Sequence, residues 1–326
     1  MSSKALIYIE ISQNKIQNVS KEIISKAIEN LNGTEVSALI IASNEQYTNL
    51  KDELELLPVK QIFVIKDDLF ETYNTCIFSK VLSRFLNDIQ PDIFLMGATD
   101  NGRDLAPRTA SALNIGLTAD CTDISCDSEG NLLATRPTYG GQLKATIISK
   151  TKPNFATIRP GAFKINNLLK SDLKPQFIEV NPQINGLECL IEILNCEYKE
   201  QPEDWTCSEI IVSGGMGLKT KENFDLIYRL SDLLGAKPAA SRAAVEQGWA
   251  PQTIQIGQTG VSVSPKLYLA FGISGAMQHM TGITNADRII AINTDRNAPI
   301  MKASDVAINA DAIAVIKSLI ESYSSI

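Results

Sequence analysis

The sequence predicts a two-domain α/β fold, an N-terminal α/β domain with a mixed sheet over 1–200 and a C-terminal domain with a Rossmann-like parallel sheet over 201–326. Three observations carry this prediction. The chain has 326 residues, 44% of them apolar, enough for two cores at roughly 150 residues per domain. In both halves short β-branched runs alternate with segments of helical period, and strands separated by helices pair in parallel. Between the halves, EYKEQPED at 197–204 is charged and carries a proline, the best linker in the chain.

The first half opens with a strand over 4–11. A helix over 19–31 follows, with Val19, Ile23, Ile24, Ala27, Ile28 and Leu31 at apolar positions. Strands at 36–42 and 61–65, a helix around 75–86 and a strand at 92–96 continue the alternation. That last strand runs into GATDNGRDLAPR, where the glycines and Asn101 predict a turn and a helix from about Asp104. Loops after strand C-termini are where open α/β sheets bind ligands; the alternative is a structural turn with Arg103 and Arg108 in ion pairs. From 117 to 179 the pieces LLATRPTYGG, LKATIISKT and FATIRPGAF predict antiparallel strands extending the first sheet, with Gly140 and Gly141 at a hairpin-like turn.

The second half begins with a strand at 209–212, the turn SGGMGLKT and a helix with Phe224, Ile227, Leu230 and Leu234 on one face. The order is that of a dinucleotide fold, but the spacing is not. Gly215 and Gly217 give GxG, Thr220 replaces the third glycine of GxGxxG, and GLKT is no phosphate loop. A nicotinamide or ATP site at this turn is disfavoured, whereas a cofactor spread over several loops remains open.

The densest stretch spans 238–282. It holds the only histidine, His279, and one of the two tryptophans, Trp249, which is expected to pack in the core. Residues 266–273 read as a buried strand, and Ser274 as the N-cap of a helix AMQHM whose first N–H groups suit an anion. Gly257 and Gly260 permit close backbone approach, with the amide of Gln258 and the hydroxyl of Thr259 between them. Arg242 adds a permanent cation. Together these residues predict a nucleotide-type cofactor. A strand at 288–293 and a helix over 310–322 close the chain; Asn293 and Asp295 stand at the strand end, and Asp311 is also placed to cap the last helix.

Composition narrows the function. A net charge of -7 disfavours nucleic acid as a partner. The opening MSSKALIYIEIS lacks a secretory core, and no apolar run approaches the roughly 20 residues of a membrane span; a cytoplasmic protein with no membrane insertion is expected. The six cysteines are scattered without a CxxC pair, and one histidine excludes a multi-histidine metal site. No GxSxG elbow, nucleophile–histidine pair or paired metal carboxylates stand out. Redox chemistry, if present, belongs to a bound organic cofactor.

Several motifs point further. LYLAFGISGAMQHMTGI at 267–283, IIAIN at 289–293, API at 298–300, SRAAV, QIGQTG and SGGxGL upstream, and LMGATDNGRDLAPRTASALNIGLTADCTDI at 95–124 resemble the α subunit of electron transfer flavoproteins and its nitrogen-fixation-associated homologues. The resemblance covers nearly the whole chain. It implies FAD in the C-terminal domain and an N-terminal domain packing on a β subunit that carries AMP. It also implies electron transfer from a flavin-dependent dehydrogenase, of acyl-CoA type, to a downstream acceptor. Residue by residue, it implies that His279 lies near the flavin C2 carbonyl, Arg242 beside the ring and Thr259 near N5. Ser274 and Gln278 would hold the ribityl and pyrophosphate region. Ser241 and Gln258 join the same shell, with the backbones of Gly260 and Gly275 in the cofactor loops, and Asn293 and Asp311 toward the ribityl or adenosine part. Met216 departs from the pattern, because arginine is common there. A cation or donor beside the ring raises its potential; one elementary charge at about 4 Å is worth roughly 4 kcal/mol at an effective dielectric near 20. Two alternatives stay open: an electron-bifurcating, NADH-linked complex with a second FAD in the β subunit, and a non-redox adenine-nucleotide module.

Overall fold

The computed structural model describes residues 4–31, 33–138, 143–165, 174–182, 191, 193, 194, 196, 205, 208–283 and 286–323. The described residues up to Cys196 form one compact unit and those from Trp205 onward a second. The expected linker at 197–204 and the turn at Gly140 and Gly141 lie outside the described residues, as do Cys189 and Cys207. Cys76, Cys121, Cys126 and Cys196 are free thiols. No metal-binding cluster occurs among the described residues, and no described helix is long and apolar enough to cross a membrane.

The N-terminal unit runs β1 (Lys4–Ile9), a small hairpin β2 (Ile11–Ser12) and β3 (Lys15–Ile16), α1 (Asn18–Asn30), β4 (Glu35–Ala42), α2 (Asn44–Glu55), β5 (Gln61–Lys66), α3 (Thr75–Ile89), β6 (Ile93–Gly97) and α4 (Asp100–Leu113). It continues with β7 (Leu117–Cys121), β8 (Asp123–Cys126), β9 (Leu132–Thr138), β10 (Leu143–Ile148), β11 (Asn154–Ile158) and β12 (Gln176–Val180). Seven strands pair in parallel in the order β12-β5-β4-β1-β6-β11-β7. Val19, Ile23 and Ile24 of α1 and Leu50 and Leu54 of α2 pack on one face of this sheet; Phe78, Leu82 and Phe85 of α3 and Leu105 of α4 pack on the other. Burial on both faces explains why β6 is apolar throughout rather than alternating.

Three local readings are corrected. Two of the three expected antiparallel pieces do not extend the main sheet: as β9 and β10 they form a separate sheet with β8, and nearly every residue of β10 is exposed, which a strand covered on both faces could not be; the third, β11, does extend the main sheet, in parallel between β6 and β7. The helix after β6 starts at Asp100, four residues before the expected start. Thr99 caps it by accepting from the Gly102 N–H at 3.0 Å, and Gly102 serves packing rather than a turn, since a Cβ there would strike the Gly97 carbonyl. Helix α2 was not expected at all, because only Gln46, Leu50 and Leu54 of its twelve residues are buried. A reciprocal capping box, Gln46 N–H to Ser43 Oγ and Ser43 N–H to Gln46 Oε1, both 3.1 Å, starts it.

The C-terminal unit runs β13 (Ile210–Gly214), α5 (Lys221–Leu234), β14 (Lys237–Ala240), α6 (Arg242–Glu246), β15 (Leu267–Phe271), α7 (Met277–Met280), β16 (Arg288–Asn293), α8 (Pro299–Ala303), β17 (Val306–Asn309) and α9 (Ala312–Tyr323). Its five strands are parallel in the order β14-β13-β15-β16-β17. Phe224, Ile227 and Leu230 of α5 and Ile316 and Ile320 of α9 cover one face, with Trp249 packed at the same cluster. Trp205, Ile256, Val263, Ile283 and Ile300 cover the other. The chain leaves β13 for β14 on one side and returns to β15 on the other, so the carboxyl ends of β13 and β15 flank the crevice where open α/β sheets take ligands.

Candidate functional site

A cavity of about 550 Å³ opens at that crevice, a volume within the range of small-molecule sites. Each element after a strand end contributes to it: Met216 and Gly217 after β13; Ser241, Arg242 and Glu246 around α6 after β14; Gly272, Ile273 and Ser274 after β15; Asn293 and Asp295 after β16. Gly257, Gln258 and Thr259 close it from the loop before β15, and Gln278 and His279 from α7.

Backbone contact shapes the floor. Gly217 N–H donates to the Gly272 carbonyl at 2.9 Å, and a Cβ on Gly217 would stand 2.6 Å from the Gly272 Cα. Gly257 has φ +130, a conformation only glycine adopts readily, and a Cβ there would meet the Gln278 carbonyl at 2.6 Å. The next N–H, of Gln258, donates to that same carbonyl at 2.7 Å, which ties the loop to α7.

The polar side chains fall into three groups. Gln258, Thr259, Ser274 and Gln278 are exposed to the cavity as uncharged donors and acceptors; Thr259 Oγ1 already accepts from Gln255 Nε2 at 2.9 Å. Ser241 and Asn293 also hold backbone. Ser241 caps α6, and Asn293 Nδ2 donates to the Ile273 carbonyl at 2.8 Å. Arg242 is exposed and its Nε donates to Glu246 at 2.7 Å, so its charge is partly balanced within the site. His279 is the exception, being 7% exposed with Nε2 2.8 Å from the Tyr268 hydroxyl and Nδ1 buried without a hydrogen-bond partner.

Burial lowers the pKa of His279 to about 4. The imidazole is therefore neutral near pH 7 and supplies a dipole rather than a charge; any titration near neutrality must come from elsewhere.

Ser274 is placed differently from its expected capping role, and three other candidates lie outside the cavity lining. Ser274 does not cap a helix: α7 starts after Ala276 with no side-chain cap and is only four residues long, and the Ser274 carbonyl accepts from Ile300 N–H at 3.1 Å. So short a helix offers no developed anion site. Asp311 is not among the lining residues. Its carboxylate accepts from the N–H groups of Ile313 at 2.8 Å and Ala314 at 3.3 Å, capping α9, and stands 3.6 Å from Lys219. Those backbone bonds lower its pKa. Gly260 and Gly275 do not line the cavity either; each packs against backbone, of Gln255 and Ile300 respectively. Missed were Glu246 and the Tyr268 partner of His279, whereas Asp295 lines the cavity beside Asn293 at the strand end. A lone tyrosine inside the apolar run LYLAF was the only signal for Tyr268.

The donor set suits a polar heteroaromatic group: many uncharged hydrogen-bonding atoms, one cation and an unpaired buried imidazole nitrogen. Comparison with known proteins agrees. Residues 5–182 match the electron transfer flavoprotein domain, and residues 204–284 match the electron transfer flavoprotein FAD-binding domain. The chain belongs to the electron transfer flavoprotein α-subunit family. A protein FixB of Clostridium saccharobutylicum is 41% identical over 319 residues, covering 96% of this chain and 94% of the relative. The α subunit of an electron transfer flavoprotein from Thermoanaerobacterium thermosaccharolyticum is 39% identical over 97% of this chain and 96% of its own length. One from Clostridium acetobutylicum is 38% identical over 96% and 95%. The FAD-binding domain match takes in Met216, Ser241, Arg242, Gln258, Thr259, Ser274, Gln278 and His279, and ends before Asn293.

Proposed function

We propose that this chain is the FAD-carrying α subunit of a heterodimeric electron transfer flavoprotein. It would pass electrons from a flavin-dependent dehydrogenase, of acyl-CoA type, to a downstream acceptor in the cytoplasm. The observation that supports this best is a 550 Å³ cavity at the β13/β15 crevice, lined by the part of the chain that matches the FAD-binding domain family. The β subunit would complete the assembly and hold AMP.

FAD, when bound, supplies the uptake and release of electrons; this chain's residues bind and orient it. Gln258, Thr259, Ser274 and Gln278 present hydrogen-bonding atoms at the open side, and Ser241 and Asn293 add two whose positions are fixed by capping and backbone bonds. Gly217 and Gly272 let the ends of β13 and β15 meet backbone to backbone at the edge of the cavity. Arg242 supplies the one cation among the described lining residues, attenuated by Glu246. Met216, 45% exposed among the lining residues, adds an apolar contact.

Purification of the chain with its β subunit, followed by visible spectroscopy and cofactor release, tests the reading. A yellow heterodimer with one FAD is expected. Two FAD per heterodimer would assign it to the bifurcating, NADH-linked type, and a protein that stays colourless with added FAD would leave only the adenine-nucleotide alternative. Capture of the native complex would identify the dehydrogenase.

A further inference from the structure

Tyr268 lies in β15 with its side chain fully buried, and its hydroxyl is 2.8 Å from Nε2 of His279, eleven residues on and across the turn into α7. The two rings are tilted by 51° with centroids 6.1 Å apart, so the contact runs through the hydroxyl and not through stacking. Burial raises the pKa of the phenol, which keeps its proton, and lowers that of the imidazole, which stays neutral. A neutral imidazole has one donor and one acceptor nitrogen, and its neighbours decide which is which.

We propose that Tyr268 is a positioning residue that donates to Nε2 of His279 and thereby holds this cavity-lining ring in one orientation and in the Nδ1–H tautomer. The opposite arrangement would point Nε2–H at the phenol oxygen. The phenolic proton would then have to turn to Ser213, the other side chain at the hydroxyl, and a buried Nδ1 lone pair would face no donor. The Ile256 backbone beside the ring favours a ring N–H, although it falls short of hydrogen-bond geometry. The inference rests on the reading that the cavity holds a flavin: the edge that His279 turns to that ring is set by a residue outside the cavity lining.

Because the chain has one histidine, nitrogen-15 labelling of histidine in the full-length protein gives one pair of ring resonances. A pyrrole-type shift for Nδ1 and a pyridine-type shift for Nε2 are expected near neutral pH. The reverse pattern overturns the proposal with no variant needed. In Tyr268→Phe both nitrogens should move toward averaged shifts as the two tautomers mix, and the dissociation constant for FAD should rise about tenfold. An unchanged nitrogen spectrum, or an altered spectrum with unchanged FAD affinity, overturns the positioning role. If the wild-type chain with its β subunit takes up no FAD at all, the flavin reading fails while the tautomer result still stands.

Discussion

Arg242 and Glu246 sit one helical turn apart on α6 with their charged atoms 2.7 Å from each other, both well exposed. Removing either partner should therefore move the flavin in opposite directions. Glu246→Gln leaves the guanidinium uncompensated and is expected to raise the reduction potential of bound FAD. Arg242→Ala leaves the carboxylate and is expected to lower it. Each effect should be on the order of 1 kcal/mol, the size of an exposed charge interaction, and should shrink with added salt. Redox titration of the two variants checks this, and equal potentials in both would remove the pair from the ring's surroundings. In the N-terminal unit, Glu10 is 5% exposed at the carboxyl end of β1, with Thr99 Oγ1 donating to its two oxygens at 2.8 and 2.6 Å. It lines a second cavity of about 250 Å³ that has no lysine, arginine or histidine among its described lining residues. With no cation beside it, burial raises its pKa to about 7.

Individual elements differ in how plainly the sequence announces them. Strands β1, β4, β5, β6, β15 and β16 and helices α1, α3, α5 and α9 were legible because each buries a broad apolar face. Strand β17 was not, since all four of its residues are exposed and no burial pattern marks it. Helix α2 hides behind its polar composition, and its capping box is the local signal that replaces an apolar stripe. Ser43→Ala, which removes that cap, should cost about 1 kcal/mol of stability in urea unfolding followed by circular dichroism. The site was legible where a loop is dense in unusual residues, as at Gln258, Thr259, Gln278 and His279. It was illegible where contact depends on how strand ends meet, as for Tyr268 with His279, and where a short helix went unexpected, as for the i,i+4 pair of Arg242 and Glu246 on α6. Gly217 illustrates the second kind. The failed GxGxxG spacing gave it no role, yet the carboxyl ends of β13 and β15 come together at its Cα. Gly217→Ala would press a methyl group onto the Gly272 backbone, which has no side chain to swing aside. A loss of about 1–3 kcal/mol is expected from such overpacking, together with weaker FAD binding. Urea unfolding read by tryptophan fluorescence and a flavin titration measure the two effects, and wild-type values in both would show that the strand ends can part.

At the scale of the whole molecule, the two units carry buried titratable groups of opposite sign, and their stabilities should respond oppositely to pH. In the N-terminal unit Glu10 binds its proton more tightly folded, near pH 7, than unfolded, near 4.5. Folding therefore takes up a proton in this window, and stability is lost as pH rises from about 4.5 through 7. In the C-terminal unit His279 binds its proton less tightly folded, near pH 4, than unfolded, near 6.5. The unfolded state takes up the proton there, and stability is lost as pH falls from about 6.5 to 4. Each displacement amounts to on the order of 3 kcal/mol over its full window. Asp104, Asp120 and Asp305 have lowered pKa values and titrate below this range, so they do not obscure it. Both tryptophans of the chain, Trp205 and Trp249, pack in the C-terminal unit, so their fluorescence reports that unit alone. Between pH 7 and pH 5 the tryptophan-detected unfolding temperature should fall, while hydrogen exchange at the β1 and α4 amides should slow beyond the intrinsic effect of pH. His279→Asn should flatten the first trend and Glu10→Gln the second, each leaving the other unit's profile in place. Slopes of the same sign in both units, or slopes that survive the two substitutions, would show that the burial of these two side chains does not govern the pH response.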